Sequence, residues 1–425
     1  MMPKQLEVEQ IRDLLKPGMT VWVAGGTNEP LSLVDALRAE PAACAGVTFL
    51  QSTVPGLNHT DYSALHKDAS MTVFMLTGDL RESHQAGRVN FIPKQLRAVH
   101  DYFEQEVDID IAVTQVAPTT QADAFSHGLN ADFMLAALAR AKCVIAEVNA
   151  AHPAPIGGTN IASSRFDYVY HTDRPVPNFP TTPLNAESIA IGKLVEELVP
   201  DGACIQNGIG TIPAAILEAL QDKNDLGLHS GILDDGIMKL ARSGVINGRY
   251  KAIDKGRMVA AISMGTDELY QWSTQCEDVL FRPVSYTHNA AVIGQIDNFI
   301  SINSALEIDL FGQVNAEMIG GRQLSGTGGS VDFMRGASAS KGGRSIVALT
   351  ATANRGKISR IVPKLEAHTT ATALRTDIDY VVTEFGVAHL RNLPARARGD
   401  ALIAIAAPEF RSVLSDEWEQ MKPLL

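Results

Sequence analysis

Short β-branched runs alternate with segments of helical period along most of this 425-residue chain. MTVWVAGG (19–26), MTVFML (71–76), IDIAVTQV (109–116) and CVIAEVN (143–149) are nearly continuous in apolar residues, as strands buried on both faces are. NADFMLAALARAK, by contrast, repeats its apolar positions at three- and four-residue spacing, which predicts a helix. The alternation predicts parallel sheets covered by helices. RPVPNFPTTPLN (174–185) is too rich in proline for helix or central strand, and the pattern restarts after it with AESIAIGKLVEELV and ACIQNGIG. Two α/β domains, 1–185 and 186–425, are expected from that break, and their similar sizes also fit a diverged duplication. In the second half VINGRYKAI, RMVAAISMG, FISINSALEIDLFGQV, RSIVALTATA and YVVTEFGVAHL read as further strands, with some antiparallel character.

Composition narrows the function classes. Hydrophobic residues make up 45% and charged residues 20%, the balance of an ordinary soluble globular protein. A formal net charge of −12 argues against a nucleic-acid or anionic-membrane surface, since both need a positive field. Any phosphate-bearing ligand must be met by local groups. The N-terminal stretch lacks the apolar core of a signal peptide, and no run is long enough for a membrane span. Cys44, Cys143, Cys204 and Cys276 are scattered without CxxC pairing, which predicts reduced, buried thiols in the cytoplasm. No His/Cys/carboxylate set has ligand spacing, so no metal is expected.

Three stretches carry candidate chemistry. In QNGIGTIPAAILEAL (206–220) a strand runs through Asn207, Gly208, Ile209, Gly210 and Thr211 into a helix, offering backbone N–H groups to an anion. A plain tight connection fits that segment equally well, and Pro213 stands where a dinucleotide fingerprint would need glycine. In LSGTGGSVDFMRGASASKGGRSIVAL (324–349), Gly326, Gly328 and Gly329 before Ser330 let a backbone approach a ligand closely, and Lys341, Arg344 and Arg335 are candidate cations for it. In YVVTEFGVAHLRN a strand delivers Glu384, with His389 and Arg391 following within a turn if a helix begins there. A strand end with solvated charges is the alternative.

Together LQDKNDLGLHS, INSALEIDLFGQV, SGTGGSVDFMRGAS, SKGG, RIVP and YVVTEFGVAHLRN resemble the acetyl-CoA hydrolase/transferase family, in its 4-hydroxybutyrate and itaconate CoA-transferase branch. GGTNEPLSLVDAL, GRVNFIPKQL and DIAVTQVAP extend the resemblance over nearly the whole chain. It implies two open α/β domains of mixed or parallel sheet with the active site at their interface, and a homo-oligomer, dimer or tetramer. It implies coenzyme A and acyl-CoA as substrates together with small carboxylates, and no tightly bound cofactor. Family enzymes pass coenzyme A from an acyl-CoA to a carboxylate through an acyl-glutamyl anhydride and a glutamyl-CoA thioester. On that pattern Asn207–Thr211 match the CoA-site loop, Asn303 the asparagine of the N(S/T)A segment, Gly326 the oxyanion glycine, Lys341 the lysine of KGG, and Glu384 the glutamate of VTE(Y/F)GVA.

One element is missing. Where the family's LGIHSEM.SDG carries its nucleophilic glutamate, this chain reads LGLHSGILDDG, with Gly231 in that place. Glu29, Asp61, Asp234, Asp235 and Glu317 are candidate substitutes, although Asp234 before GIMKLARSG also fits a helix N-cap, and capping, pairing or solvation fits the others. Alternatively the acceptor carboxylate attacks the thioester directly, or water does so with His229 or Asp234 as base, which makes the chain a hydrolase. A CoA-binding protein without catalysis is the remaining alternative. The expected activity is transfer of coenzyme A between a short-chain acyl-CoA and a carboxylate resembling 4-hydroxybutyrate, itaconate, acetate or succinate.

Overall fold

A computed structural model describes residues 2–181 and 183–424. The chain divides into two compact units. The first comprises Met1–Pro180, Gly231–Asp235 and Val259–Thr287, and the second Thr181–Ser230, Gly236–Met258 and His288–Leu425. This division differs from the single break expected at 185, because two later segments rejoin the first unit. Ile232–Leu233 pairs with Ile262–Ser263, and Ser263 N and Ala131 N bond to the carbonyls of Leu129 and Ala261.

In the first unit eight strands form a parallel sheet in the order Lys4–Gln5, Tyr168–Thr172, Ala141–Asn149, Ile109–Pro118, Thr20–Val23, Thr48–Gln51, Ser70–Val73 and Val89–Phe91. Alternate residues feed opposite cores, as a two-residue strand period requires. Trp22 and Leu50 join Phe74, Phe103 and Phe133 on one face, while Val21, Val23 and Phe49 join Tyr62 and Met71 on the other. Phe103 lies edge-on to Trp22 and Phe74, the favoured aromatic geometry. The expected strand 19–26 stops at Val23 because the chain turns at Gly25, where a Cβ would lie 2.0 Å from the Ser52 carbonyl oxygen. The helix Leu31–Ala39 then buries Leu33, Val34 and Leu37 on its return to Thr48–Gln51.

The second unit orders its sheet as Gly227–Leu228, Cys204–Asn207, Phe299–Ser304, Arg344–Ala348, Tyr380–Thr383 and Gly386–His389. The first five strands are parallel and the last turns back as a hairpin. The helical turn considered after Glu384 is therefore a strand, with the rings of Tyr380 and His389 stacked across the hairpin at 4.3 Å. VINGRYKAI forms no strand, because it wraps a single acceptor: Asn247 N and Gly248 N both donate to the Leu226 carbonyl.

Candidate active site

Parallel strands deliver their carboxyl ends to one edge of an open sheet, and ligands of such folds bind there. In the second unit that edge collects most of the residues singled out in the sequence. Asn207 ends its strand buried. Its Nδ2 donates to the Pro213 carbonyl at 3.1 Å, and its Oδ1 has no hydrogen-bond partner among the described residues. Gly208 and Ile209 follow, and Gly210, at φ 110°, makes the turn that starts the helix Thr211–Ala219. On the adjacent strand, Asn303 Nδ2 donates to Gln206 Oε1 at 3.0 Å and to Ser301 Oγ at 2.9 Å, locking the amide. Glu384 lies one residue beyond its strand and accepts from Ala351 N at 2.8 Å.

The turn Gly326–Gly329 leads into the helix Ser330–Ala339, which must run back along the sheet before the parallel strand Arg344–Ala348 can start. Its N-terminus, with Ser330, is accordingly at the same edge, and Gly328 takes φ 61° there. Lys341 follows the far end of that helix. Its carbonyl accepts from Asn298 N, just before the strand Phe299–Ser304. The structure thus separates Lys341 from Asn207, Asn303 and the glycine turn by the length of the sheet. The neighbouring cations are at that amino end too, each already engaged. Arg344 donates to the Leu198 carbonyl, Arg335 pairs with Asp377 at 3.6 Å, and Arg391 pairs with Asp379 at 3.1 Å.

A cation that the sequence reading did not assign is at the carboxyl edge instead. Arg360, half-buried, donates to the Ala305 carbonyl at 3.4 Å, and its main-chain N bonds to the Ala351 carbonyl. Burial pulls its pKa below the ordinary arginine value, and the nearby Glu384 carboxylate opposes that shift.

The first unit holds Gly231 and the candidates Asp234, Asp235, Asp61 and Glu29, while His229 and Glu317 belong to the second. Gly231 is buried, and its carbonyl accepts from both Ala261 N and Ile262 N at 3.0 Å. Its φ is not among the positive ones, so an L-residue fits the backbone conformation there. Asp234 immediately precedes the helix Asp235–Arg242, and Asp235 accepts from Thr266 N at 3.1 Å and Thr266 Oγ1 at 2.6 Å. Asp61 caps a short turn, accepting from Ser63 N, Ser63 Oγ and Ala64 N. Glu29 is buried beside the Gly25–Gly26 turn. Tyr62 Oη donates to its Oε1 at 3.0 Å, Gln51 Nε2 to the same oxygen at 3.4 Å, and Asn58 Nδ2 to its Oε2 at 2.9 Å. Burial and the Glu29 charge together hold the Tyr62 phenol well above its ordinary pKa. A carboxylate whose oxygens are taken up by donors in this way is blunted as a nucleophile.

Models of the acetyl-CoA hydrolase/transferase N-terminal and C-terminal domains match residues 2–180 and 265–418. The 4-hydroxybutyrate coenzyme A transferase of Clostridium kluyveri is 37% identical over 401 residues, 94% of either chain.

The chain belongs to the acetyl-CoA hydrolase/transferase family.

Solved structures agree. RipA from Yersinia pestis superposes with a TM-score of 0.92 at 30% identity, over 99% of this chain and 98% of that one. The 4-hydroxybutyrate CoA-transferase from Porphyromonas gingivalis does so with 0.82 at 33% identity, over 98% and 97%. As a member of the acetyl-CoA hydrolase/transferase family the chain is an enzyme.

Two buried features of this family member had no sequence signal. Glu147 accepts from Tyr170 Oη at 2.7 Å and Ser32 Oγ at 3.3 Å, and burial raises its pKa. His127 lies edge-on to Phe281 with neither ring nitrogen hydrogen-bonded among the described residues, and burial pulls its imidazole down to about 4. Among those residues one set, His100, Asp101 and Glu104, brings potential ligand atoms within 4.8 Å of one another, but the Arg97 guanidinium already pairs with Asp101. No described helix is long and apolar enough to cross a membrane.

Proposed function

We propose that this enzyme transfers coenzyme A between a short-chain acyl-CoA and a small carboxylate without a covalent intermediate on residue 231. The observation that carries this reading is Gly231 itself, which offers no side-chain atom to attack a thioester. Of the candidate substitute carboxylates, Glu29 is held by three donors, Asp61 caps a turn and Asp235 accepts from Thr266. The acceptor carboxylate then attacks the thioester carbonyl, forming a mixed anhydride and releasing CoA thiolate. The thiolate attacks the acceptor's carbonyl, giving the new acyl-CoA and the donor's free acid. Backbone N–H groups of the Gly326–Gly329 turn meet the developing oxyanion, and the Gly208–Thr211 turn with Arg360 meets the anionic parts of the substrates. Holding two reactants in place supplies several kcal/mol toward the barrier without any protein nucleophile.

Intact-mass measurement after mixing with acetyl-, butyryl- or succinyl-CoA, with product formation followed in the same samples, tests this. Turnover dependent on added carboxylate, with unmodified protein mass, is expected. A CoA adduct would sink the reading and peptide mapping would name the carboxylate responsible, while carboxylate-independent release of CoA would mark a hydrolase.

A further inference from the structure

The buried carboxylate of Glu317 has both oxygens engaged. Its Oε1 accepts from Thr372 Oγ1 and its Oε2 from Gln323 Nε2, each at 2.8 Å. Its main chain is equally fixed. Glu317 N donates to Asn315 Oδ1 at 3.1 Å, and its carbonyl accepts from Leu324 N at 2.8 Å and Ser325 N at 3.3 Å. Asn315 is buried and bonds in turn to Glu307 and the Met318 carbonyl. Thr372 is anchored on both sides, through its N to the Val314 carbonyl and through Oγ1 from Ala316 N. Such a carboxylate is a clamp, and it is removed from the list of replacement nucleophiles.

The clamp ends on the glycine turn. Gln323 Nε2 makes a second bond, 3.0 Å long, to the Ser325 carbonyl. That carbonyl and the Gly326 N–H belong to one planar trans peptide, so they point in opposite directions. Fixing the carbonyl on Gln323 therefore fixes the Gly326 N–H toward the other side. Gly326 is buried, yet its N–H donates to no described residue, whereas buried amides are nearly always paired.

We propose that Gln323, held by Glu317, which Thr372 holds in turn, is a positioning residue that aims the Gly326 N–H at the thioester carbonyl oxygen of bound acyl-CoA. This rests on the reading of Gly326 as an oxyanion donor. Gln323 touches no reacting atom; it acts through the Ser325–Gly326 peptide.

The test is isotope-edited infrared spectroscopy of acetyl-CoA, ¹³C-labelled at the thioester carbonyl, bound to the full chain. In the parent the carbonyl band shifts to lower wavenumber than in free acetyl-CoA. Gln323→Leu is expected to lose at least half of that shift while affinity for free CoA stays within twofold. Gln323→Lys, which keeps a donor on Glu317 and Ser325, retains most of it. An unchanged shift in Gln323→Leu overturns the positioning role, and no shift in the parent overturns the assignment of Gly326 beneath it. Should Gln323→Leu not fold, Glu317→Gln and Thr372→Val are read in its place. Each loosens the clamp and is expected to lose part of the shift, and a full shift in both overturns the proposal.

Discussion

At the scale of single residues, the proposed chemistry turns on a side chain that is absent at Gly231. Gly231 is not among the glycines at positive φ, and its carbonyl is held by Ala261 and Ile262. Gly231→Glu is accordingly expected to form a glutamyl-CoA thioester, visible as a mass gain of CoA less water that hydroxylamine removes. A folded variant with no adduct would mean that position 231 does not face the thioester. The cations give a second, opposed pair of outcomes by calorimetry: Lys341→Ala binds acyl-CoA within twofold of the parent, and Arg360→Met binds it about tenfold more weakly, the loss of one charge-assisted contact of about 1.5 kcal/mol. Equal affinities for the two variants would remove Arg360 from the site. The place of Glu384 at a strand end was legible because it follows a β-branched run, whereas Asn303 was singled out only through the family resemblance. Lys341 was grouped with the glycine turn on sequence proximity, and the helix Ser330–Ala339, about 15 Å long, carries it away from those glycines. Arg360 was not legible at all, since its place is set by the pairing of Ile308 with Ile361 across some fifty residues.

At the scale of elements, strand-to-helix turns were readable from glycine and proline, while the hairpin after Glu384 was not. A glycine between two apolar runs permits either outcome, and cross-strand contacts such as Tyr380 on His389 decide it. The turn elements of the first unit also set its response to acid. Burial holds His127 and His152 at about 4, below the value near 6.5 of an unfolded chain. Their contribution to stability is complete above pH 6.5 and is lost as pH falls toward 4, because the unfolded chain takes up the protons. Asp132, raised by burial to about 6, works in the opposite direction over part of that range, so the histidine effect is best read as a difference. His127→Phe removes one titrating ring that lacks hydrogen bonds and keeps the edge contact with Phe281. Denaturant unfolding should find the variant's stability relative to the parent about 2 kcal/mol higher at pH 5 than at pH 7.5. The same offset at both pH values would mean that His127 does not titrate in this window.

At the scale of the whole molecule, alternation of apolar runs and helical periods was enough to anticipate two α/β bodies, because strands buried on both faces have little other use. It could not anticipate that Gly231–Asp235 and Val259–Thr287 rejoin the first body, since strands of two residues leave almost no periodic trace. A net charge of −12 is compatible with an anionic substrate only if cations and amide dipoles are placed locally, which is the role proposed for the glycine turns and Arg360 in the second unit. The central claim, transfer without an enzyme-bound acyl or CoA intermediate, is tested most directly by a single turnover with enzyme in excess over acyl-CoA and with the acceptor carboxylate labelled with ¹⁸O. Direct attack moves one labelled oxygen from acceptor to donor through the mixed anhydride. The account predicts one ¹⁸O in the released donor acid; an unlabelled donor acid, its oxygen drawn from a protein carboxylate or from water, would contradict it.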